Sequence, residues 1–146
     1  MDFGPTMRLT ASQTVNERPC LLKGRPPTVA IVDDNASMLR SIQRLLTIEG
    51  FAVETFTSAE AFLAHLPAGE AACVVLDIQL PGMSGIELRQ HLKVLDPDLP
   101  IIFITAISDE RLRQAAAQLG CAAYLNKPFA PDLLVGAVAR ALGGRP

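Results

Sequence analysis

The chain has 146 residues, 49% of them hydrophobic, and a net charge of −2 from 13 basic and 15 acidic side chains. That is about one domain's worth of chain with enough apolar material for a core, and its dispersed charge argues against a dedicated nucleic-acid-binding surface, which is concentrated and basic. No apolar run is long enough to span a membrane and the first thirty residues lack a secretory h-region, so a soluble, cytoplasmic protein is expected.

Residues 1–27 show no sustained periodicity and end at Pro26-Pro27, which predicts a mobile N-terminal extension. "TVAIV" (28–32) is a short continuous apolar run, the pattern of a strand covered on both faces. Met38, Leu39, Ile42, Leu45 and Leu46 then recur at helical spacing, and Gly50 closes that helix as a C′ residue. "FAVETF" (51–56) reads as the second strand, and Thr57 and Glu60 have capping-box spacing for a helix carrying Phe62, Leu63 and Leu66. "CVVL" (73–76) is the third strand; after a Pro-Gly turn, Ser84 and Glu87 repeat the capping-box spacing ahead of Ile86, Leu88 and Leu92. "IIFIT" (101–105) is the fourth strand, Ser108-Asp109-Glu110 opens an Ala-rich fourth helix, and Gly120 ends it. "CAAYL" (121–125) is the fifth strand, and Pro131 suits the first position of the last helix. Cys20, Cys73 and Cys121 have no metal-like spacing, and the latter two read as buried thiols in strands.

Five strand–helix alternations imply an α/β fold, a parallel sheet with helices on both faces joined by right-handed crossovers. In such sheets the functional crevice lies outside the carboxyl ends of the strands. Asp33 and Asp34 follow the first strand, Asp77 the third, Thr105 ends the fourth, and Lys127 lies just beyond the fifth. Three carboxylates in one crevice repel one another, and a divalent cation removes the conflict. Hard oxygen donors in an incomplete cage fit Mg²⁺, which shares its sphere with water and phosphoryl oxygens. Lys127 and Thr105 add an ammonium and a hydroxyl suited to orienting a phosphoryl group. Asp77 stands alone beside a turn shaped by Pro81, Gly82 and Gly85, so it is assigned as the nucleophile, with Asp33-Asp34 as the metal anchor.

These residues, Asp33-Asp34, Asp77 with Pro81-Gly82 and Gly85, Thr105-Ala106, and Lys127-Pro128-Phe129, resemble the receiver domain of bacterial two-component response regulators over about residues 28–142. "FAVETFTSAEAFL" further resembles the FixJ-like branch. The resemblance implies a CheY-like, flavodoxin-like (βα)5 fold with strand order 2-1-3-4-5, and a phosphoacceptor signalling domain rather than an enzyme. It implies that Asp77 accepts a phosphoryl group from a histidine kinase or histidine phosphotransfer protein. By the same likeness, Asp34, Asp77 and the Gln79 backbone carbonyl ligate Mg²⁺, Asp33 acts through water, and Lys127 and Thr105 contact phosphoryl oxygens. Thr105 and Tyr124 match the switch pair that reshapes a surface on the fourth helix, fifth strand and fifth helix. That surface would meet a downstream protein target, and a phosphorylation-dependent homodimer is one arrangement found among relatives. The bond before Pro128 is expected to be cis. Ala123 departs from the Gly or Asp often found there, and Gln79 and Ile107 occupy the positions that modulate phosphoryl lifetime.

Singly, each feature has a plainer reading. Asp33-Asp34 alone is a helix-capping loop, Asp77 a turn residue, Lys127 a solvated lysine, Tyr124 a half-buried ring; the set carries the assignment. His65 and His91 lack partners at ligand spacing and read as surface or packing residues. A Mg²⁺-dependent phosphatase passing through an aspartyl phosphate is the main competitor, but its haloacid-dehalogenase-like form wants a second Asp where Gln79 stands. A phosphorylation-independent adaptor is the third reading. Only "GGRP" follows residue 142, so a stand-alone receiver and a receiver excised from a longer regulator are both compatible with the chain.

Overall fold

The computed structural model describes residues 26–66 and 71–143. Most of the N-terminal extension, Cys20 and the final three residues of the tail lie outside them. Strands and helices alternate as β1 (Thr28–Val32), α1 (Ala36–Ile48), β2 (Ala52–Phe56), α2 (Ala59–His65), β3 (Ala71–Asp77), α3 (Gly85–Leu95), β4 (Ile101–Thr105), α4 (Glu110–Leu119), β5 (Ala123–Asn126) and α5 (Pro131–Gly143). All pairings are parallel and the sheet order is β2-β1-β3-β4-β5, as expected.

Successive side chains of a strand point to opposite faces, and both faces here are covered. Ala30, Val32, Val74, Leu76, Ile101 and Phe103 pack with Phe62, Leu88, Leu92 and Ala116, beneath α2, α3 and α4. Val29, Ile31, Cys73, Val75, Ile102 and Ile104 pack with Leu39, Ile42, Leu46, Leu134 and Val138, beneath α1 and α5. The central strands therefore need continuous apolar runs, and "CVVL" and "IIFIT" supply them.

Several expected boundaries shift. β3 runs from Ala71 through Asp77, so the acid is the last residue of the strand rather than the first of the turn. β5 is Ala123–Asn126, and Cys121 lies in the connection before it, only half-buried. The expected Thr57–Glu60 box does not form. Ser58 is the cap of α2, its hydroxyl accepting from Ala61 N–H at 3.0 Å, because Glu60 turns outward to another partner described below. The Ser84–Glu87 box forms reciprocally, at 2.9 and 3.1 Å. Gly50 and Gly120 end their helices with φ of 99° and 85°, conformations that glycine adopts without Cβ strain.

Candidate functional site

Register decides which side chains meet. Val32 pairs with Leu76, so the next residues, Asp33 and Asp77, fall side by side beyond the last pair. Alternation turns both toward the α1/α5 face, following Ile31 and Val75. Lys127 has the same parity as Ala123 and Leu125, which pack on that face, and so arrives at the two acids from across β4. Thr105 and Tyr124 have the opposite parity, following Phe103 toward the α3/α4 face. The site is thus divided: charge on one side of the sheet's edge, the hydroxyl–aromatic pair on the other.

The geometry bears this out. Lys127 Nζ donates to Asp33 Oδ2 at 2.9 Å and to Asp77 Oδ2 at 3.3 Å. The remaining oxygens are held by local backbone: Asn35 N–H donates to Asp33 Oδ1 at 2.9 Å, and Gln79 N–H to Asp77 Oδ1 at 3.0 Å. Asp33 is fully buried and Asp77 nearly so, whereas Asp34 is exposed. One carboxylate oxygen from each of the three lies within 4.8 Å of the others. An all-oxygen set with a solvent-facing side suits a hard cation such as Mg²⁺ rather than a thiolate- or imidazole-seeking metal.

Burial pushes the Asp77 carboxyl above its ordinary range; the Gln79 N–H opposes this, the Asp33 charge adds to it, and Lys127 opposes it. For Lys127, burial acts to lower the ammonium's pKa, but the Asp33 hydrogen bond and the charges of Asp77 and Asp33 outweigh it and the net direction is up. The lysine is therefore firmly charged, while Asp77 carries residual cost that a second cation would relieve.

Thr105 is fully buried and its Oγ1 accepts from Ile107 N–H at 3.1 Å, while its carbonyl accepts from Lys127 N–H at 2.8 Å. Tyr124 packs against the α3/α4 layer with its hydroxyl buried and without a hydrogen-bond partner. Gln79 is exposed beside Asp77. The Lys127–Pro128 bond is cis. The charged residues are thus brought together, and Thr105 and Tyr124 sit beside them without a hydrogen bond to Asp77.

Two features of the loop after Asp77 were not anticipated. Gly85 N–H donates to Ile78 O at 2.9 Å, and a Cβ at Gly85 would collide with the Asp77 carbonyl oxygen, so only glycine lets α3 start this close behind the acid. Glu60, at the start of α2, reaches across to accept from Met83 N–H at 2.8 Å. Gly82 makes room for it: its φ is 75°, and a Cβ there would lie 2.6 Å from Glu60 Oε2. That backbone hydrogen bond holds the Glu60 carboxyl below its usual range. Capping-box spacing masked this role, since Glu60 reads locally as a partner of its own helix.

Comparison with known proteins agrees with the geometry. Residues 29–139 match the family model described as the response regulator receiver domain. The chain is 40% identical over 115 residues to the C4-dicarboxylate transport transcriptional regulatory protein DctD of Rhizobium meliloti, covering 79% of this chain and 25% of that protein. It is 38% identical over 114 residues to the transcriptional regulatory protein FixJ of Bradyrhizobium diazoefficiens, covering 78% and 56%. The crystal structure of FixJ-N superposes with a TM-score of 0.75 at 37% identity, over 82% of this chain and 95% of that one. The chain thus spans a quarter of DctD and little more than half of FixJ. With fold, strand-end acids and lysine in agreement, the chain belongs to the response regulator receiver domain family.

Proposed function

We propose that Asp77 is the phosphoacceptor of a two-component signalling module and that the Lys127 bridge between Asp33 and Asp77 is the observation that carries this assignment. A lone surface lysine has no reason to reach two buried carboxylates at a strand end; a phosphoryl site does. In the reaction an Asp77 oxygen attacks the phosphorus of a phosphohistidine, the P–N bond breaks, and the imidazole keeps the electron pair and takes up a proton. Lys127 holds positive charge where the transferred oxygens arrive. Asp34, Asp77 and the Gln79 carbonyl would hold Mg²⁺, with Asp33, fully buried behind Lys127, acting through water. Bound there, the ion supplies the charge that offsets three carboxylates and the incoming phosphoryl group.

Family membership implies a cognate histidine kinase; a phosphotransfer protein is the alternative donor. Residues 28–142 are taken as the responding unit. Readout follows from parity. A phosphoryl oxygen that draws the Thr105 hydroxyl from Ile107 N–H changes the α3/α4 side of the sheet edge, where Tyr124 lies. The ring's buried, unpartnered hydroxyl costs about 1–3 kcal/mol, so its present packing is open to a competing arrangement. The face formed by α4, β5 and α5 would then meet a downstream protein or a second copy of the chain.

The decisive experiment is incubation with acetyl phosphate and Mg²⁺, then peptide mapping. One phosphoryl group on the peptide bearing Asp77, absent with chelator and absent in Asp77→Asn, is expected. Labelling of another residue, or undiminished labelling of Asp77→Asn, overturns the assignment. Steady turnover of phosphomonoesters without stoichiometric labelling would return the phosphatase reading.

A further inference from the structure

At the opposite end of the sheet, around the amino ends of β4 and β5, a charged side chain occupies a core position. The inner face of α3 buries Gly85, Leu88, Arg89 and Leu92, a three-and-four spacing in which position 89 calls for an apolar residue. Arg89 stands there instead, 7% exposed. Its Nε–H donates to Gly120 O at 3.0 Å, and a cation beside the carboxyl end of α4 is electrostatically suited to that place. This accounts for one N–H. The Nη1 nitrogen is buried without a partner, and no ion pair among the described residues includes Arg89. Burial of a guanidinium with so little compensation is unfavourable unless something further pairs with it; burial also draws its pKa down.

Arg89 lines a surface-open cavity of about 410 Å³ between the α4–β5 connection and α5. Arg140, from α5, lines it too, its guanidinium lying against Gly136 one turn back; the nearby acids are Asp98, in the lining, and Asp96, whose charge acts on Arg89. Gly120, Cys121 and Ala122 line it ahead of β5. With Nε–H engaged and Nη1 closed off, the N–H groups of Nη2 are the donors left for an oxygen of a carboxylate or phosphate, and a small shift of the side chain would add those of Nη1.

We propose that this cavity is a binding site for a small oxyanion, held between Arg89 and Arg140, and separate from the phosphoryl site. The proposal stands whether or not Asp77 is the phosphoacceptor. It is tested on the full chain by two-dimensional amide NMR in chelator, titrating acetate and inorganic phosphate separately against chloride at matched ionic strength. Saturable shifts at Gly120–Ala122 are expected. The probe that saturates first identifies carboxylate or phosphate as the preferred group. Arg89→Leu weakens binding at least tenfold, and Arg140→Ala severalfold without altering the melting temperature. Shifts that grow without saturation, shifts confined to the surroundings of Lys127, or wild-type affinity in the variants would each overturn the site. Should Arg89→Leu fail to fold, the exposed Arg140→Ala decides alone.

Discussion

The two ends of the sheet treat buried charge differently. At the carboxyl end, Asp33 and Asp77 are buried together with Lys127 between them, and every carboxylate oxygen of the pair has a donor. At the amino end, Arg89 is about as deeply buried as Asp77, but among the described residues its hydrogen-bond acceptor is a single backbone carbonyl. The carboxyl end is short of positive charge by the count of its acids; at the amino end the buried Arg89 is short of hydrogen-bond acceptors. Buried groups left this way mark where the folded chain is completed by something other than itself.

Removing charge should therefore have unequal effects at the two ends. Lys127→Ala strips the partner from two buried acids and is expected to destabilise the protein by about 3 kcal/mol in chelator, measured by urea unfolding. Part of that loss returns with Mg²⁺ if the acids hold the ion. Because the folded pKa of Lys127 is raised, its contribution is fully present below the unfolded lysine pKa and fades as pH rises through the folded value. The gap between wild type and Lys127→Ala should narrow in alkaline solution; a gap independent of alkaline pH would mean that Lys127 acts through packing alone.

Gly82→Ala comes next. A left-handed φ and the nearby Glu60 carboxylate predict a loss of about 1–2 kcal/mol by the same measurement. In Asp77→Asn the sign reverses. Its folded pKa is raised, so ionised Asp77 is a liability that is absent below the unfolded pKa and complete above the folded one. The variant should gain about 1 kcal/mol at neutral pH without metal and nothing in acid. Equal stabilisation at both extremes would remove charge from the explanation. Arg89→Leu should change stability least, by under about 1 kcal/mol, because the lost Gly120 bond is offset by relief from desolvation. A loss as large as that of Lys127→Ala would show that the two ends are alike after all.

Much of this was legible beforehand because strand ends are where sequence and space coincide. Apolar runs mark the strands, the fold class fixes their direction, and whatever follows each run must lie at one edge of the sheet; Asp33, Asp77 and Lys127 are found that way. Parity could have been read as well, and would have separated Thr105 and Tyr124 from the charged set. Glu60 and Arg89 could not be found by the same logic. Each is a helical residue whose partner lies 23 or 31 positions away, so neither local spacing nor composition points to it. Glu60 imitates a cap, and Arg89 shows itself only when burial contradicts its charge. Cys121 was misplaced for a simpler reason: an apolar "CAAYL" gives no sign that its first two residues belong to the turn.

The Glu60–Met83 contact has a practical corollary for anyone recombining receivers. The segment behind Asp77 is not a self-contained cassette, since its shape is anchored from a different helix and its Gly82 is sized to that anchor. Transplanting residues 78–84 into a host lacking a carboxylate at the position of Glu60 would move the loop without its tether. Glu60 and Gly82 are best exchanged as one unit.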